Sequence, residues 1–484
     1  MRHSSHLRQI GQNRDRIPVE WTPPVLLLLV LMATSWQGSI AQDTPAPPAD
    51  TDVFAAETAF WPESPEGAPP DFDSTDDLWQ RATLSGEWGG HRTSLRDSGV
   101  SFRIREVQFA FGVVGGINAP PPEPLGPGDT FRYTGVGMYQ SVLDFEKLSG
   151  LSLGTLRITL ENWYGDFGNV SLHTGAIAPP VTAALLPPAP NDPGIPFLTN
   201  FLWTVPLSER FVVYAGKESY IGAFDQTRFA GGDGTNQFVN LDMVENPALV
   251  LGVPYSSFTA GFISPQDWGE FRSFVIDPTE RTMDLFSGDS LFSLGIIIGS
   301  ELTLKSRFFG RPGQHRFGGF WKHVPLTNLQ FEEPPPGVYP EPTVSGSPTI
   351  DNSWTLYYGF DQYVVQYGDS ERGWGVFGRA AVSDGNPTPV RSFLSLGLGG
   401  YSPFRRKQGD MFGIGWYYIW VSTEFGPLPE ATYRPRNGSG VELYYNIQAT
   451  PWLTITPDIQ FLRPEATAIA DDAFLYGLRV TMEF

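Results

Sequence analysis

The chain has 484 residues, a formal net charge of −20 and no cysteine, which excludes disulfide scaffolds, zinc–thiolate sites, iron–sulfur clusters and cysteine nucleophiles. Its acid excess would repel nucleic-acid phosphates, and only 17% of its residues are charged while 14% are aromatic. A mean hydropathy of −0.17 argues against a helical membrane protein, but it suits a barrel whose strands wet one face.

In chain order, the first feature is an export signal. Arg2, Arg8, Arg14 and Arg16 precede the apolar run Val25–Met32, and Ser39-Ile40-Ala41 supplies small residues two apart. The run is too short to span a bilayer, and the small residues fit signal-peptidase cleavage after Ala41. Residues 42–80 then hold ten acids, seven prolines and no Lys or Arg. Such a segment buries no core and reads as a flexible acidic spacer.

From residue 81 the periodicity is two. Leu156, Ile158 and Leu160 oppose Arg157, Thr159 and Glu161, with Trp163 continuing the polar face. Leu302 and Leu304 oppose Glu301, Thr303 and Lys305. Alternation of this kind is a strand with one wet face. Lys217 to Pro247 is long where a short turn is due, which implies a strand missed or miscounted between 218 and 290. Pro-rich stretches 118–130, 178–196 and 324–350 lack the N–H groups of a ladder and read as loops.

Seven strands fit from 353 onward, near 353–367, 372–382, 391–400, 410–423, 438–449, 452–462 and 473–484. Their links tend to alternate short and long, the habit of outer-membrane barrels, although 401–409 is long for its place. In the last strand Phe474, Tyr476, Leu478, Val480, Met482 and Phe484 share one face, expected to meet lipid. Arg479, Thr481 and Glu483 share the other, expected to meet water.

Motifs of chemistry are sparse. Gly231 to Phe238 nearly fits one calcium-binding β-roll repeat, but a β-roll needs stacked copies. The histidines show no His-Glu-x-x-His spacing, and no Gly-x-Ser-x-Gly elbow or P-loop occurs. No catalytic residue, metal or cofactor is expected.

Several short motifs occur in order. Gly86-Glu87-Trp88-Gly89-Gly90-His91-Arg92 opens the series, and Phe238-Val239-Asn240 follows. Then come Arg372-Gly373-Trp374-Gly375-Val376-Phe377-Gly378-Arg379, Gly409-Asp410-Met411-Phe412-Gly413-Ile414-Gly415-Trp416 and Thr456-Pro457-Asp458-Ile459-Gln460-Phe461. Together they resemble the OprB-type family of carbohydrate-selective porins over nearly everything from Leu84 to Phe484, with Trp88, Gly89, Gly90 and Arg92 matching the family's opening motif.

The resemblance implies an all-β fold: a transmembrane antiparallel barrel of about sixteen strands in the bacterial outer membrane, passing sugars by diffusion. Three domains are expected: a signal peptide (1–41), the acidic segment (42–80) and the barrel (81–484). Lumen candidates for sugar contact are Arg157, Glu161, Trp163, Lys305, Arg379, Glu442, Asn446, Asp458, Gln460, Arg479 and Glu483. Sugar hydroxyls exchange water for such polar groups, and aromatic faces stack on pyranose rings, in weak and multiple contacts that permit flux. Expected partners are sugars, outer-membrane lipid, the barrel-assembly machinery through Phe484 and, as an open option, further copies in a homo-oligomer. A structural or envelope-tethering barrel and a less selective general porin are the alternative functions.

Overall fold

The computed structural model describes residues 77–119, 125–166, 168–185, 196–284, 290–330, 349–368, 372–404, 409–424, 435–466 and 469–484. The signal peptide and nearly all of the acidic segment lie outside them. Strands β1 to β16 are Val100–Ile117, Thr130–Asp144, Thr155–Gly165, Phe197–Ser208, Phe211–Ser219, Ser256–Gln266, Gly269–Ile276, Ile296–Phe308, Arg311–Thr327, Thr349–Gln366, Gly373–Ser383, Val390–Tyr401, Met411–Val421, Gly438–Thr450, Leu453–Arg463 and Ala470–Glu483. Each pairs antiparallel with its neighbours in sequence, and β1 closes on β16 with Phe109 opposite Arg479. The result is a closed barrel of sixteen strands, with no free edge to attract another chain.

One rim carries tight turns such as Glu209–Arg210, Asp267–Trp268, Phe309–Gly310 and Pro451–Trp452, and it also carries residues 84–99. The opposite rim carries the long links, including 166–196, 220–255, 277–295 and 328–348. The link after Tyr401 falls on the tight-turn rim, so its length is a departure from the rule rather than a misplaced strand.

The seven strands expected from 353 onward are all present with ends shifted by a few residues; β10 starts earlier, at Thr349. Pro325 lies inside β9, so the Pro-rich link there begins only after Thr327. The region 218–290 needs correction. The tight turn due there is Glu209–Arg210, and Ser219 to Ser256 is a link of the opposite rim that folds into the barrel. Strands β6 and β7 follow it.

The outward faces are apolar and open. Leu396, Leu398, Ile414, Leu443, Ile459 and Leu478 are 37–44% exposed, with Trp416, Tyr418 and Trp420 ranged along β13. Apolar alternation with no second protein layer against it is a lipid-facing wall. Leu478→Arg, near the middle of β16, should therefore cost roughly 2–4 kcal/mol, read as lost heat-modifiable folded barrel. The inward face is less simple. Thr481 does not meet water: it is buried, and its hydroxyl donates to the Thr235 carbonyl (3.2 Å). An Arg at 481 would collide with that segment.

Candidate functional site

The link Tyr220–Tyr255 crosses the lumen and packs on the inward faces of the wall opposite β2–β5. Asn240 and Asn246 cap its two short helices, Leu241–Val244 and Pro247–Val250, by accepting from the N–H groups of Asp242 (2.9 Å) and Ala248 (3.0 Å). Such caps satisfy otherwise orphaned backbone donors. Phe224 stacks on Phe274 (4.3 Å) and meets Phe320 edge-on (5.2 Å). Phe229 meets Tyr363 (4.9 Å), while Phe238 sits between Phe377 (5.5 Å) and Tyr444 (4.8 Å). Inward glycines make room for these rings. A Cβ on Gly375 would stand 2.4 Å from the Phe229 ring, and one on Gly413 2.6 Å from the Phe238 ring. Burial in this contact pushes the carboxyls of Asp242 and Glu245 well above the usual carboxylate range.

Six of the candidates from sequence turn out to serve this loop, five by direct hydrogen bonds and Asp458 through Gln460. Arg379 is fully buried; it ion-pairs with Asp225 (3.1 Å) and donates to the carbonyls of Asp225 (3.1 Å), Met243 (2.7 Å), Val244 (3.0 Å) and Ala230. Arg479 donates to the carbonyls of Gly234 and Asn236, both at 2.8 Å. Glu442 accepts from the N–H groups of Val239 (2.7 Å) and Asn240 (3.1 Å). Asp458, buried beside it on β15, accepts from Gln460, which itself takes a hydrogen bond from Asn240 (3.0 Å). Asn446 donates to the Asn236 carbonyl (2.6 Å). All these side chains point inward as expected, but protein, not the passage, occupies that side of the lumen. Glu483 pairs with Arg105 (2.6 Å). Lys305 is exposed near the tight-turn end of β8.

A second inward link adds to the plug. Its Thr182 donates N–H and hydroxyl to the Val239 carbonyl, each at 2.9 Å, and the Leu241 N–H donates to the Pro179 carbonyl (3.1 Å). The Gly231–Phe238 stretch belongs to this packed layer. Among the described residues no group of His, Asp and Glu is arranged to hold a metal.

Two recesses lie against the other wall. A recess of about 480 Å³ is lined by residues that include Arg157, Thr159, Glu161, Glu218, Asp233 and Tyr255. A smaller one of about 300 Å³ adjoins it and reaches Trp163. Arg157 pairs with Glu218 (3.0 Å). Both Trp163 Nε1 (2.8 Å) and the Tyr255 hydroxyl (2.9 Å) donate to the same Glu161 oxygen, and their rings meet edge-on at 5.1 Å. Arg157, Glu161 and Trp163 are thus brought together by one strand, β3. Glu218, Asp233 and Tyr255 were missed. Glu218 lies in phase with inward Tyr214 on β5, a signal that was available; Asp233 and Tyr255 come from the inward link, where no period exists.

A family model described as carbohydrate-selective porin, OprB family, matches residues 128–484. The chain belongs to the OprB family. It is similar to Porin B of Pseudomonas aeruginosa, at 22% identity over 448 residues, covering 83% of this chain and 91% of that one. It also superposes on the structure of Pseudomonas putida OprB at high pH with a TM-score of 0.68 and 19% identity, covering 84% and 99% of the two chains, a likeness that shows the barrel fold. This OprB-family member is therefore an outer-membrane carbohydrate porin, a channel and not an enzyme. Its tight-turn rim is periplasmic and its long links external, as outer-membrane barrels require.

The motif at Trp88 lies upstream of the matched region, on the periplasmic rim. Gly89 and Gly90 take positive φ (65° and 91°), where a side chain would be strained, and so turn the chain into helix α1 (His91–Asp97). The turn aims Arg92 at the barrel seam. Its guanidinium lies over the Trp88 ring (5.4 Å) and donates to the carbonyls of Phe102 (3.0 Å) and Phe484 (2.9 Å).

Proposed function

We propose that sugars cross this porin through the gap between the β2–β5 wall and the inward link, with Arg157, Glu161 and Trp163 as the contacts that favour them. The observation that carries this is the convergence of those three with Glu218 and Tyr255 on the recess the plug leaves open. A planar guanidinium serves two neighbouring hydroxyls, a carboxylate accepts from others, and the two rings give apolar faces. Acids outnumber the single Arg among the charges of the recess, which disfavours anionic solutes.

Sugar block of ion current through the purified porin tests it. Trp163→Ala and Arg157→Ala should each weaken maltooligosaccharide block by roughly fivefold, the equivalent of about 1 kcal/mol, while Lys305→Ala, at the rim, should leave it unchanged. Thr159 is no control, because it lines the same recess. Wild-type block in both variants, with the barrel open, would remove β3 from the selective zone.

Export and assembly belong to the same reading. Cleavage after Ala41 is expected from the apolar run and small residues before it, and the mass of the mature N-terminus checks it. The Phe484 ring is the recognition element for the assembly machinery. Phe484→Ala keeps the carbonyl that Arg92 grips, so a fall in outer-membrane yield in that variant reports on the ring alone; unchanged yield would reject the role.

A further inference from the structure

The two recesses beside β3 are separate, yet Met138, Glu161, Ile221, Asp233 and Tyr255 line both. These side chains therefore form the partition between them. Met138 and Glu161 belong to the wall, opposite each other in the β2–β3 ladder. Asp233 is turned back into the inward link, where its Oδ1 accepts from the N–H (3.0 Å) and the hydroxyl (2.5 Å) of Thr235. Tyr255 alone of the five crosses from the link to the wall by a hydrogen bond: its hydroxyl, with Ser219 beside it, donates to Glu161 Oε2 (2.9 Å).

The backbone of Tyr255 is pinned. Its N–H donates to the Glu280 carboxylate (2.7 Å), and its carbonyl accepts from the Tyr220 N–H (2.9 Å). Directly after it Ser256 enters β6, and the Ser256 hydroxyl donates to the Thr199 carbonyl (2.6 Å). The ring, by contrast, is half-buried, meets Trp163 edge-on and borders both recesses. Rotation between staggered side-chain wells swings it out of the partition without moving the link. Trp163 Nε1 donates to the same Glu161 oxygen from two residues along β3, so the carboxylate stays aimed when Tyr255 leaves.

The bond that Tyr255 makes is of the kind a sugar makes. A phenol and a sugar alcohol are both neutral O–H donors, and the edge contact on Trp163 is one that a pyranose face replaces. A sugar hydroxyl arriving at Glu161 thus exchanges one donor for another, and the buried carboxylate is never left without one.

We propose that Tyr255 is a latch between the two recesses, which a sugar opens by taking over its hydrogen bond to Glu161, a step that rests on the recess being the sugar path. The latch adds selectivity at the partition itself. A solute of the same size without hydroxyls offers Glu161 no donor and leaves the latch shut.

Tyr255→Phe and Tyr255→Ala, in the full porin purified from outer membranes and placed in planar bilayers, test it. Tyr255→Phe keeps the ring and loses the donor. A latch closed about four-fifths of the time weakens apparent sugar binding about fivefold, so this variant should reach half-block at roughly one-fifth of the maltotriose concentration that the unmodified porin needs. Stronger block is a result that a merely structural role for the hydroxyl does not give. Tyr255→Ala removes the partition and should raise the conductance measured without sugar. The two readings fail separately: block in Arg157→Ala and Trp163→Ala tests the path, while sugar-free conductance of Tyr255→Ala tests the partition with no sugar present. Half-block at or above the unmodified concentration in folded Tyr255→Phe, or unmodified conductance in folded Tyr255→Ala, would overturn the proposal.

Discussion

Arg379→Met should open this porin to several times its normal conductance and abolish sugar block, with the barrel still folded. The guanidinium is fully buried on β11 and meets four loop carbonyls and the Asp225 carboxylate. Methionine fills similar volume but leaves a buried carboxylate and several carbonyls without donors. Breaking a buried pair on one side costs about 3–5 kcal/mol. The barrel ladder does not depend on this contact, so the loss falls on docking of the inward link. Arg379→Lys, which keeps charge but not the fork, should give an intermediate conductance. Wild-type conductance from folded Arg379→Met would show that other contacts suffice to hold the link.

Gly413→Leu should have the same outcome by a steric route. Its Cβ would stand 2.3 Å from the Tyr444 ring and 2.6 Å from the Phe238 ring, both fully buried. Overpacking a filled site costs about 1–3 kcal/mol. The wall is fixed by its ladder, so the link that carries Phe238 must move. Phe238→Ala in the same chain removes the clash with the link's own ring and should restore part of the narrow state. The two substitutions touch, so their effects on conductance should not add. Additive effects would mean that Gly413 is not the socket for Phe238.

Alternation in the sequence tells which face of a strand points inward but not what it meets there. That is why the strands from β10 onward were legible almost to their ends, and why Arg379, Glu442 and Arg479 were placed on the right face with the wrong partner. Arg157, Glu161 and Trp163 were legible as a group because β3 keeps a polar inward face beside the open recess. Strand β1 shows the opposite case. Its inward face is Val107, Phe109, Phe111 and Val113, all buried, while Glu106 and Gln108 face out. Packing against the plug inverts the pattern that a water-filled barrel would impose. The inward link itself was misread because β5 ends at Ser219 with Tyr214 and Val212 turned inward, so apolar residues ran on without marking the end of the strand.

The bond from Arg92 to the Phe484 carbonyl spans 392 positions of sequence and lies where the first strand meets the last. Nearby, the Leu84 N–H donates to the Glu483 carbonyl (2.7 Å), and Trp452 Nε1 to that of Leu78 (2.7 Å). A sheet that closes on itself can be wrong by a register step and still satisfy most of its ladder. This hook has no such tolerance. If β16 slid by one residue, the carbonyl would move about 3.3 Å and turn to the other face, and Arg92 would close on nothing. The N-terminal segment thus acts as a gauge for the closed barrel: it fits only when β16 has paired in the correct register.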